Sequence, residues 1–294
     1  MNCNKGKHSM LDTITFDSGK KGPIFLVLGG VHGNEKCGTH AIGRAIMELR
    51  SGIFSLTSGK VVFVPICNPE AYRLNQRYYE VNLNRVVKKH EMASLYEQII
   101  ANELTGIIDT CDIMLDLHSY SSGVKPFLFV EYGTPEELAF AKAMRIENWV
   151  TGWNALYHDK KELWEGDTCT YAFDKGKLAL LIECGQHDDP AAAQVGYRSI
   201  RLALAHFGLT GAFAADDEPP APQVCKLHSV HVKRASGKLV KPWQHLDTVK
   251  KGTPVAQYDD GETLSSPVDG IIVMPVANAK VGEEWIFFGV PEAA

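Results

Sequence analysis

The sequence predicts an α/β protein: a mixed, mostly parallel sheet flanked by helices, followed by a small C-terminal all-β module. Three observations carry this. Apolar runs of strand length alternate with segments of helical periodicity through the first part of the chain. The composition then shifts sharply at Ala214-Ala215-Asp216-Asp217-Glu218-Pro219-Pro220-Ala221-Pro222, an acidic, Pro-rich stretch that reads as a stiff, solvated linker. Beyond it come short β-type runs separated by Gly and Pro turns. The expected division is a larger domain over 1–213, a linker over 214–223 and a β-module over 224–294.

Residues 1–20 carry one alternating run, Leu11-Asp12-Thr13-Ile14-Thr15-Phe16, expected as an edge strand. Ile24-Phe25-Leu26-Val27-Leu28 is too short for a globular helix and suits a buried strand. After it, Ala41, Ile42, Ala45, Ile46 and Leu49 mark one face of a helix, with Gly52 just past its end. Between strand and helix stands Gly29-Gly30-Val31-His32-Gly33-Asn34-Glu35. His32 and Glu35 therefore fall where a strand gives way to a helix, the place where open α/β sheets gather their chemistry. A His and a carboxylate at H-x-x-E spacing offer one nitrogen and one oxygen ligand, which suits zinc. Two ligands do not make a site, and alone the pair reads as a polar loop with an incidental His.

Lys60-Val61-Val62-Phe63-Val64-Pro65-Ile66 is a second buried strand, closed by Asn68-Pro69. Strand, helix and strand in this order imply a right-handed crossover. The polar segment Tyr72 to Arg85 holds Asn75, Arg77, Asn82, Asn84 and Arg85, and is expected as a loop that meets something anionic. Ordinary surface charge is the plainer reading of that loop taken alone. Residues 91–108 have helical periodicity through Met92, Leu95, Ile99 and Leu104. The next strand, Asp112-Ile113-Met114-Leu115-Asp116-Leu117-His118, delivers His118 at its carboxyl end as the third ligand. Asp116, two residues earlier on the same strand face, is placed to orient a nearby ligand. Three protein ligands leave a coordination position open for water.

Lys125-Pro126-Phe127-Leu128-Phe129-Val130 is a further strand, and Pro135 begins a helix through Ala143. Residues 148–176 are expected to be irregular, forming a lid or pocket wall. Leu178-Ala179-Leu180-Leu181-Ile182 is a wholly apolar strand ending in Glu183, a candidate general base; a salt-bridged strand terminus is the plainer alternative. Cys184 and His187 offer a rival, a thiol nucleophile with its base, but no glycine-flanked elbow surrounds Cys184. Residues 189–207 form a helix ended by Gly208. In the β-module the runs are Val224 to Val232, Pro254 to Tyr258, Val268 to Val276 and Trp285 to Val290. Ser266-Pro267-Val268-Asp269-Gly270-Ile271-Ile272 looks like the turn and strand of lipoyl- or biotinyl-type barrels. No lysine stands at a hairpin tip in a Met-Lys-Met or Asp-Lys context, so no prosthetic group is expected there. The module is expected to frame the pocket or supply a homo-oligomer contact.

With 294 residues and 45% hydrophobic content, a large core is available. Thirty Lys+Arg against 35 Asp+Glu leave a net charge of -5, and no long basic run points to nucleic acid. Seven cysteines, at 3, 37, 67, 111, 169, 184 and 225, include no C-x-x-C pair, so a disulfide framework is not expected. Met1 to Ser9 lacks an apolar signal core and no stretch approaches membrane-spanning length, so a cytoplasmic location off the membrane is expected.

Together these motifs resemble the aspartoacylase and succinylglutamate desuccinylase family, a branch of the zinc carboxypeptidase-like hydrolases. The resemblance runs from Gly29-Gly30-Val31-His32-Gly33-Asn34-Glu35 through Arg77, Asn82-Leu83-Asn84-Arg85, Asp116-Leu117-His118 and Glu183 to the terminal β-module. It implies one Zn2+ per chain held by His32, Glu35 and His118, with Glu183 activating the metal-bound water. It also implies that Arg77 polarises the scissile carbonyl and that Asn84 and Arg85 grip the substrate's carboxylate. The family usually has Asp-Leu-Asn-Arg, and here Asn82 replaces the acid. The expected activity is hydrolysis of the amide bond of an N-acyl amino acid or similar small carboxylate. A metallocarboxypeptidase acting on peptide C-termini would use the same ligands, and a non-catalytic metal- or ligand-binding protein would have no turnover for Glu183 to support.

Overall fold

Burial on both faces explains why the central strands are apolar throughout. Strand β2 (Ile24–Gly29) pairs in parallel with β3 (Lys60–Val64) on one side and with β4 (Ile113–Tyr120) on the other. Strand β7 (Leu178–Gln186) adds a further parallel partner to β4. The short strand β1 (Ile14–Asp17) closes one side antiparallel to β3, at the edge position expected of it. The computed structural model describes residues 9–158, 163–213 and 218–292. Met1 to His8 and linker residues Ala214 to Asp217 lie outside that range.

Helices cover both faces. On one, α1 (Cys37–Ser51), α4 (Pro135–Met144) and α7 (Pro190–His206) bury Ala41, Ile42, Phe140, Ile200 and Leu204 against Phe25, Val27, Leu115 and Leu117. On the other, α3 (Tyr96–Ile108) and α6 (Thr168–Asp174) set Ile100, Leu104 and Tyr171 over Leu26, Leu28 and Met114. Gly52, in the left-handed conformation, ends α1 where expected.

Several boundaries differ from expectation. Among its described residues the segment 148–176 is irregular only in part: it contains β6 (Asn148–Thr151), α5 (Trp153–Tyr157) and α6, and Trp153, Asn154 and Trp164 line the cavity wall expected of it. The loop from Tyr72 starts inside a short helix, α2 (Pro69–Leu74), and ends in a 3-10 turn over Leu83–Arg85. Helix α3 starts at Tyr96 rather than at 91, where the Gln98 side chain accepts the N–H groups of Ser94 and Leu95, and Glu97 of its first turn is buried. Its carboxylate accepts the N–H groups of Tyr79, Glu80 and Val81 and the Asn68 side-chain amide. Strands β4 and β7 run past His118 and Glu183, so both residues lie within strands rather than at their ends.

The sheet does not stop at the linker. Strand β5 (Phe127–Phe129) pairs antiparallel to β7 and parallel to β6, and β6 pairs in parallel with β8 (Gln223–Val232). Beyond β8 stand β14 (Glu284–Glu292), β13 (Gly270–Val273) and β10 (Thr248–Val249), joined antiparallel. Among the described residues, eleven strands form this sheet, and β9 (Gly237–Leu239), β11 (Pro254–Tyr258) and β12 (Thr263–Ser265) form a second, smaller one. The mostly parallel half thus carries the ligand-bearing strands, and the antiparallel half is the C-terminal module.

Candidate metal centre and active-site cavity

The strand register places the site. Gly29 of β2 pairs with Leu117 of β4, and His118 pairs with Glu183 of β7. Alternation then sends Asp116, His118 and Glu183 to one face, while Leu115, Leu117, Ile182 and Cys184 join the core beneath α1 and α7. After β2 the chain turns at Gly30 (φ 59), and the loop tightens until Gly33 lies on the backbone of α2. A Cβ on Gly33 would come within 2.0 Å of the Ala71 carbonyl carbon. This packing turns His32 and Glu35 inward, 3% and 1% exposed.

His32, Glu35 and His118 form a buried cluster whose ligand atoms lie within 4.8 Å of one another. His32 Nδ1 is 2.8 Å from Glu35 Oε1, His118 Nδ1 is 3.0 Å from Glu35 Oε2, and the two Nδ1 atoms are 3.2 Å apart. The outer nitrogens decide what these atoms are. Asn82 Oδ1 accepts the backbone N–H of Asn84, which identifies it as the amide oxygen, and it lies 3.0 Å from His32 Nε2. Asp116 Oδ2 lies 3.0 Å from His118 Nε2 and also accepts from Thr168 Oγ1. Both Nε2 atoms must therefore carry hydrogen, which leaves lone pairs on both Nδ1 atoms. Two nitrogen lone pairs and a carboxylate converge on one point. Only positive charge satisfies that arrangement, and the donor set fits a divalent cation.

The electrostatics agree. Burial first, then the Arg77 guanidinium, push His32 down to about 4, which keeps it a neutral ligand. Burial would raise Glu35, but the two imidazoles hold its carboxyl well below the usual range. Burial opposes charge on His118, yet the carboxylates of Asp116 and Glu35 outweigh it and raise its pKa well above the usual value, so a proton on Nδ1 supplies the positive charge there until a cation displaces it.

The cluster opens onto a cavity of about 1280 Å³, whose lining includes Arg77, Asn84, Arg85, Glu183 and His187. Arg77 Nη1 donates to Glu35 Oε1 at 3.0 Å, and the side chain remains 41% exposed. Glu183 presents Oε2, buried and without a partner, and burial followed by the Glu35 carboxylate pushes its pKa up to about 8. Asn84 Oδ1 accepts the N–H of Thr168 at 3.1 Å. Arg85 forms a two-pronged ion pair with Glu284 of β14.

Cys184 turns away from the cavity, and its hydrogen bond with Cys37, followed by burial, raises its thiol well above the usual value. His187 Nδ1 pairs with Ser119 Oγ at 2.9 Å rather than with Cys184. The thiol nucleophile is thereby set aside. Sequence reasoning missed Glu284, Tyr157 and Thr168 as neighbours of the site. Each reaches it from a distant segment, and no local pattern marks it.

A mixed α/β sheet with helices on both faces is the fold of a family of acyl-amino-acid deacylases, and in this chain it carries a buried cluster able to hold a metal ion above its parallel strands. More closely, the chain belongs to the succinylglutamate desuccinylase/aspartoacylase family, whose catalytic-domain model matches residues 21–199. It is 27% identical over 265 residues to N-alpha-acetyl-L-2,4-diaminobutyric acid deacetylase of Halomonas elongata, covering 85% of this chain and 74% of that protein. Its fold is that of succinylglutamate desuccinylase/aspartoacylase from Rhodobacter sphaeroides, with a TM-score of 0.73 at 20% identity over 94% of this chain and 87% of that one. The ectoine utilization protein EutE (DoeB) from Ruegeria pomeroyi, in a product-bound structure, matches with a TM-score of 0.73 at 19% identity over 95% and 88%. No helix among the described residues is long and apolar enough to cross a membrane.

Proposed function

We propose that the protein is a zinc-dependent hydrolase that cleaves the amide bond of an N-acyl amino acid. The observation that carries this is the convergence of the His32 and His118 Nδ1 lone pairs with the Glu35 carboxylate, beside the unpartnered Glu183 oxygen. His32, Glu35 and His118 would hold the ion, which when bound supplies Lewis-acid polarisation of a carbonyl and acidifies water. Glu183 then serves as the base that takes a proton from water and returns it to the leaving amine. Its burial suits that work, because a carboxylate in an apolar setting holds a proton more readily than one in water. Arg77, anchored on Glu35 but still partly exposed to the cavity, faces negative charge as it develops on the carbonyl oxygen. Asn84 and Arg85 line the cavity as the candidate grip for a substrate carboxylate. The relative from Halomonas elongata, a deacetylase of an N-acetyl amino acid, supports the substrate class.

The cavity's size favours one second reading, a metallocarboxypeptidase that admits an extended peptide. The test is metal content of the purified protein beside the His118→Ala variant, with release of free amine from a panel of N-acyl amino acids and short peptides. One zinc per chain, lost in the variant, with hydrolysis of an N-acyl amino acid is the expected result. Hydrolysis of peptides alone would transfer the assignment to the second reading. Absence of zinc after reconstitution would remove the metal centre.

A further inference from the structure

His187 lines the cavity with Arg77, His118 and Glu183, yet neither the metal cluster nor the proton shuttle engages it. A bulge brings it there. His118 pairs with Glu183 but Tyr120 pairs with Gln186, so two steps along β4 answer three along β7. Gly185 takes up the extra residue at φ 130, and a bulge of this kind re-aims the side chains beside it. The His187 N–H then donates to the Tyr120 carbonyl at 3.1 Å, and the ring turns back until Nδ1 is 2.9 Å from Ser119 Oγ. Ser119 in turn gives its own N–H to Glu35 Oε2 at 3.1 Å. Arg77 reaches the other oxygen of that carboxylate, Oε1, at 3.0 Å. His187 is thereby tied, through Ser119, to one oxygen of a candidate metal ligand, and Arg77 to the other.

The bond to Ser119 sets the tautomer of the ring. A hydroxyl has one hydrogen to give, and among the described residues His187 Nδ1 is the nitrogen or oxygen bonded to this one. The Cys37 thiol also lies beside Ser119, but sulfur is a weak acceptor, and this thiol gives its own hydrogen to the His118 carbonyl at 3.2 Å. Ser119 Oγ therefore donates to Nδ1, and Nε2 carries the hydrogen of the ring. Burial, ahead of every nearby charge, holds the His187 pKa below its usual value, so the ring is neutral. No described residue takes the Nε2 hydrogen, which leaves a neutral donor at the cavity wall.

We propose that His187 is a further catalytic residue, whose Nε2–H donates to the oxygen of the scissile carbonyl, opposite Arg77, as negative charge gathers there. This rests on the deacylase reading. An N-acyl amino acid offers two kinds of acceptor, its carboxylate and its acyl oxygen, and the carboxylate has its candidate grip at Asn84 and Arg85. The scissile carbon must come to Glu183 and the ligand cluster, and that brings the acyl oxygen to the wall that Arg77 and His187 share. The hydrogen stays on His187 throughout. Glu183 alone takes a proton from water and passes it to the leaving amine, so the balance of the hydrolysis is unchanged. A donor already oriented by Ser119 needs no rearrangement as charge develops, and its bond is stronger in the transition state than before it.

The experiment takes the N-acetyl amino acid that the zinc-loaded wild type turns over fastest, together with its N-thioacetyl analogue, whose sulfur accepts hydrogen bonds poorly. His187→Ala should lower kcat for the oxygen compound about a hundredfold, the effect of losing one donor to a developing oxyanion, with KM little changed. The oxygen-to-sulfur ratio of kcat/KM should fall about tenfold, whereas a merely structural role would lower both compounds alike. His187→Gln, which offers an amide N–H in place of Nε2–H, should recover part of both losses. A wild-type kcat in His187→Ala, a loss carried by KM alone, or an unchanged oxygen-to-sulfur ratio overturns the proposal. If neither His187 variant folds, Ser119→Ala decides: a lowered ratio upholds the role and an unchanged one refutes it. Nitrogen NMR of the zinc-loaded wild type reads the tautomer without turnover, and hydrogen on Nδ1 instead of Nε2 also refutes it. Wild type that hydrolyses no N-acyl amino acid overturns the deacylase reading and this role with it; turnover without the His187 effect overturns this role alone.

Discussion

His118 and Glu183 are register partners on adjacent parallel strands, so a candidate metal ligand and a candidate base are held side by side by the backbone of the sheet. Their spacing does not depend on a loop. A sheet-borne pair of this kind positions its groups more rigidly than loop residues would.

Glu183→Gln keeps the shape of the side chain and removes its basicity. Zinc content should stay at the wild-type level while kcat falls about a hundred- to ten-thousandfold, the contribution typical of general acid–base catalysis. Parallel metal analysis and steady-state kinetics check this. Retained turnover would move the base elsewhere.

The outer hydrogen bonds of the two imidazoles should tune metal affinity in opposite directions. Asp116→Asn weakens the acceptor on His118 Nε2, and is expected to loosen zinc about ten- to a hundredfold. Asn82→Asp places a carboxylate on His32 Nε2 and should tighten it. Competition with a chromogenic chelator measures both, and equal affinities in all three proteins would contradict the roles assigned to these bonds.

Metal removal should cost stability, because a ligand that binds the native state alone adds to its free energy. Chelation is expected to lower Tm by about 5–10 °C, and added zinc should restore it. His118→Ala should be insensitive to both treatments. Calorimetry with and without chelator is the check.

Glu131 predicts a pH dependence away from the metal cluster. Burial, followed in smaller part by the nearby Asp167 and Glu137 carboxylates, raises it to about 7, even though it accepts the amides of Asn154 and Trp153. Its folded pKa lies above the unfolded one, so the folded state holds the proton longer. Its contribution to stability is present at acidic pH and is lost as pH rises from about 4.5 toward 7. Glu131→Gln should flatten that part of the profile, by on the order of 1–2 kcal/mol after allowing for partial exposure. Urea unfolding at pH 5 and pH 8 reads the difference.

Gly33→Ala tests how the metal loop is seated. The new methyl group would strike the Ala71 backbone, and α2 would have to move. A loss of about 2 kcal/mol or more is expected, typical of overpacking at a rigid contact. Activity should fall as well, since Gly33 N–H donates to the Arg77 carbonyl and the two segments are seated together. Full activity at wild-type stability would show that this contact yields easily.

The framework around β2, β4 and β7 was legible because each strand is a continuous apolar run between turn signals. His32, Glu35, His118 and Glu183 lie at or near the points where those runs end. The secondary structure of 148–176 was not legible, though its place in the pocket wall was, since β6, α5 and α6 hold only four, five and seven residues and no period can establish itself over so few. The Arg85–Glu284 pair was hidden for another reason. Its members are 199 residues apart, and neither is marked by its neighbours in sequence. Such contacts belong to the tertiary fold, which the pattern of a single chain does not encode locally.

The parallel pairing of β6 with β8 has a practical consequence for anyone shortening the chain. A protein ended after Phe213 would keep the candidate metal ligands but expose the hydrogen-bonding side of β6, whose Trp149 and Val150 are buried in the full chain. An unpaired strand of that kind is a template for self-association. The truncated protein should therefore multimerise or precipitate, and the smallest soluble version of this hydrolase should be one that retains the C-terminal strands.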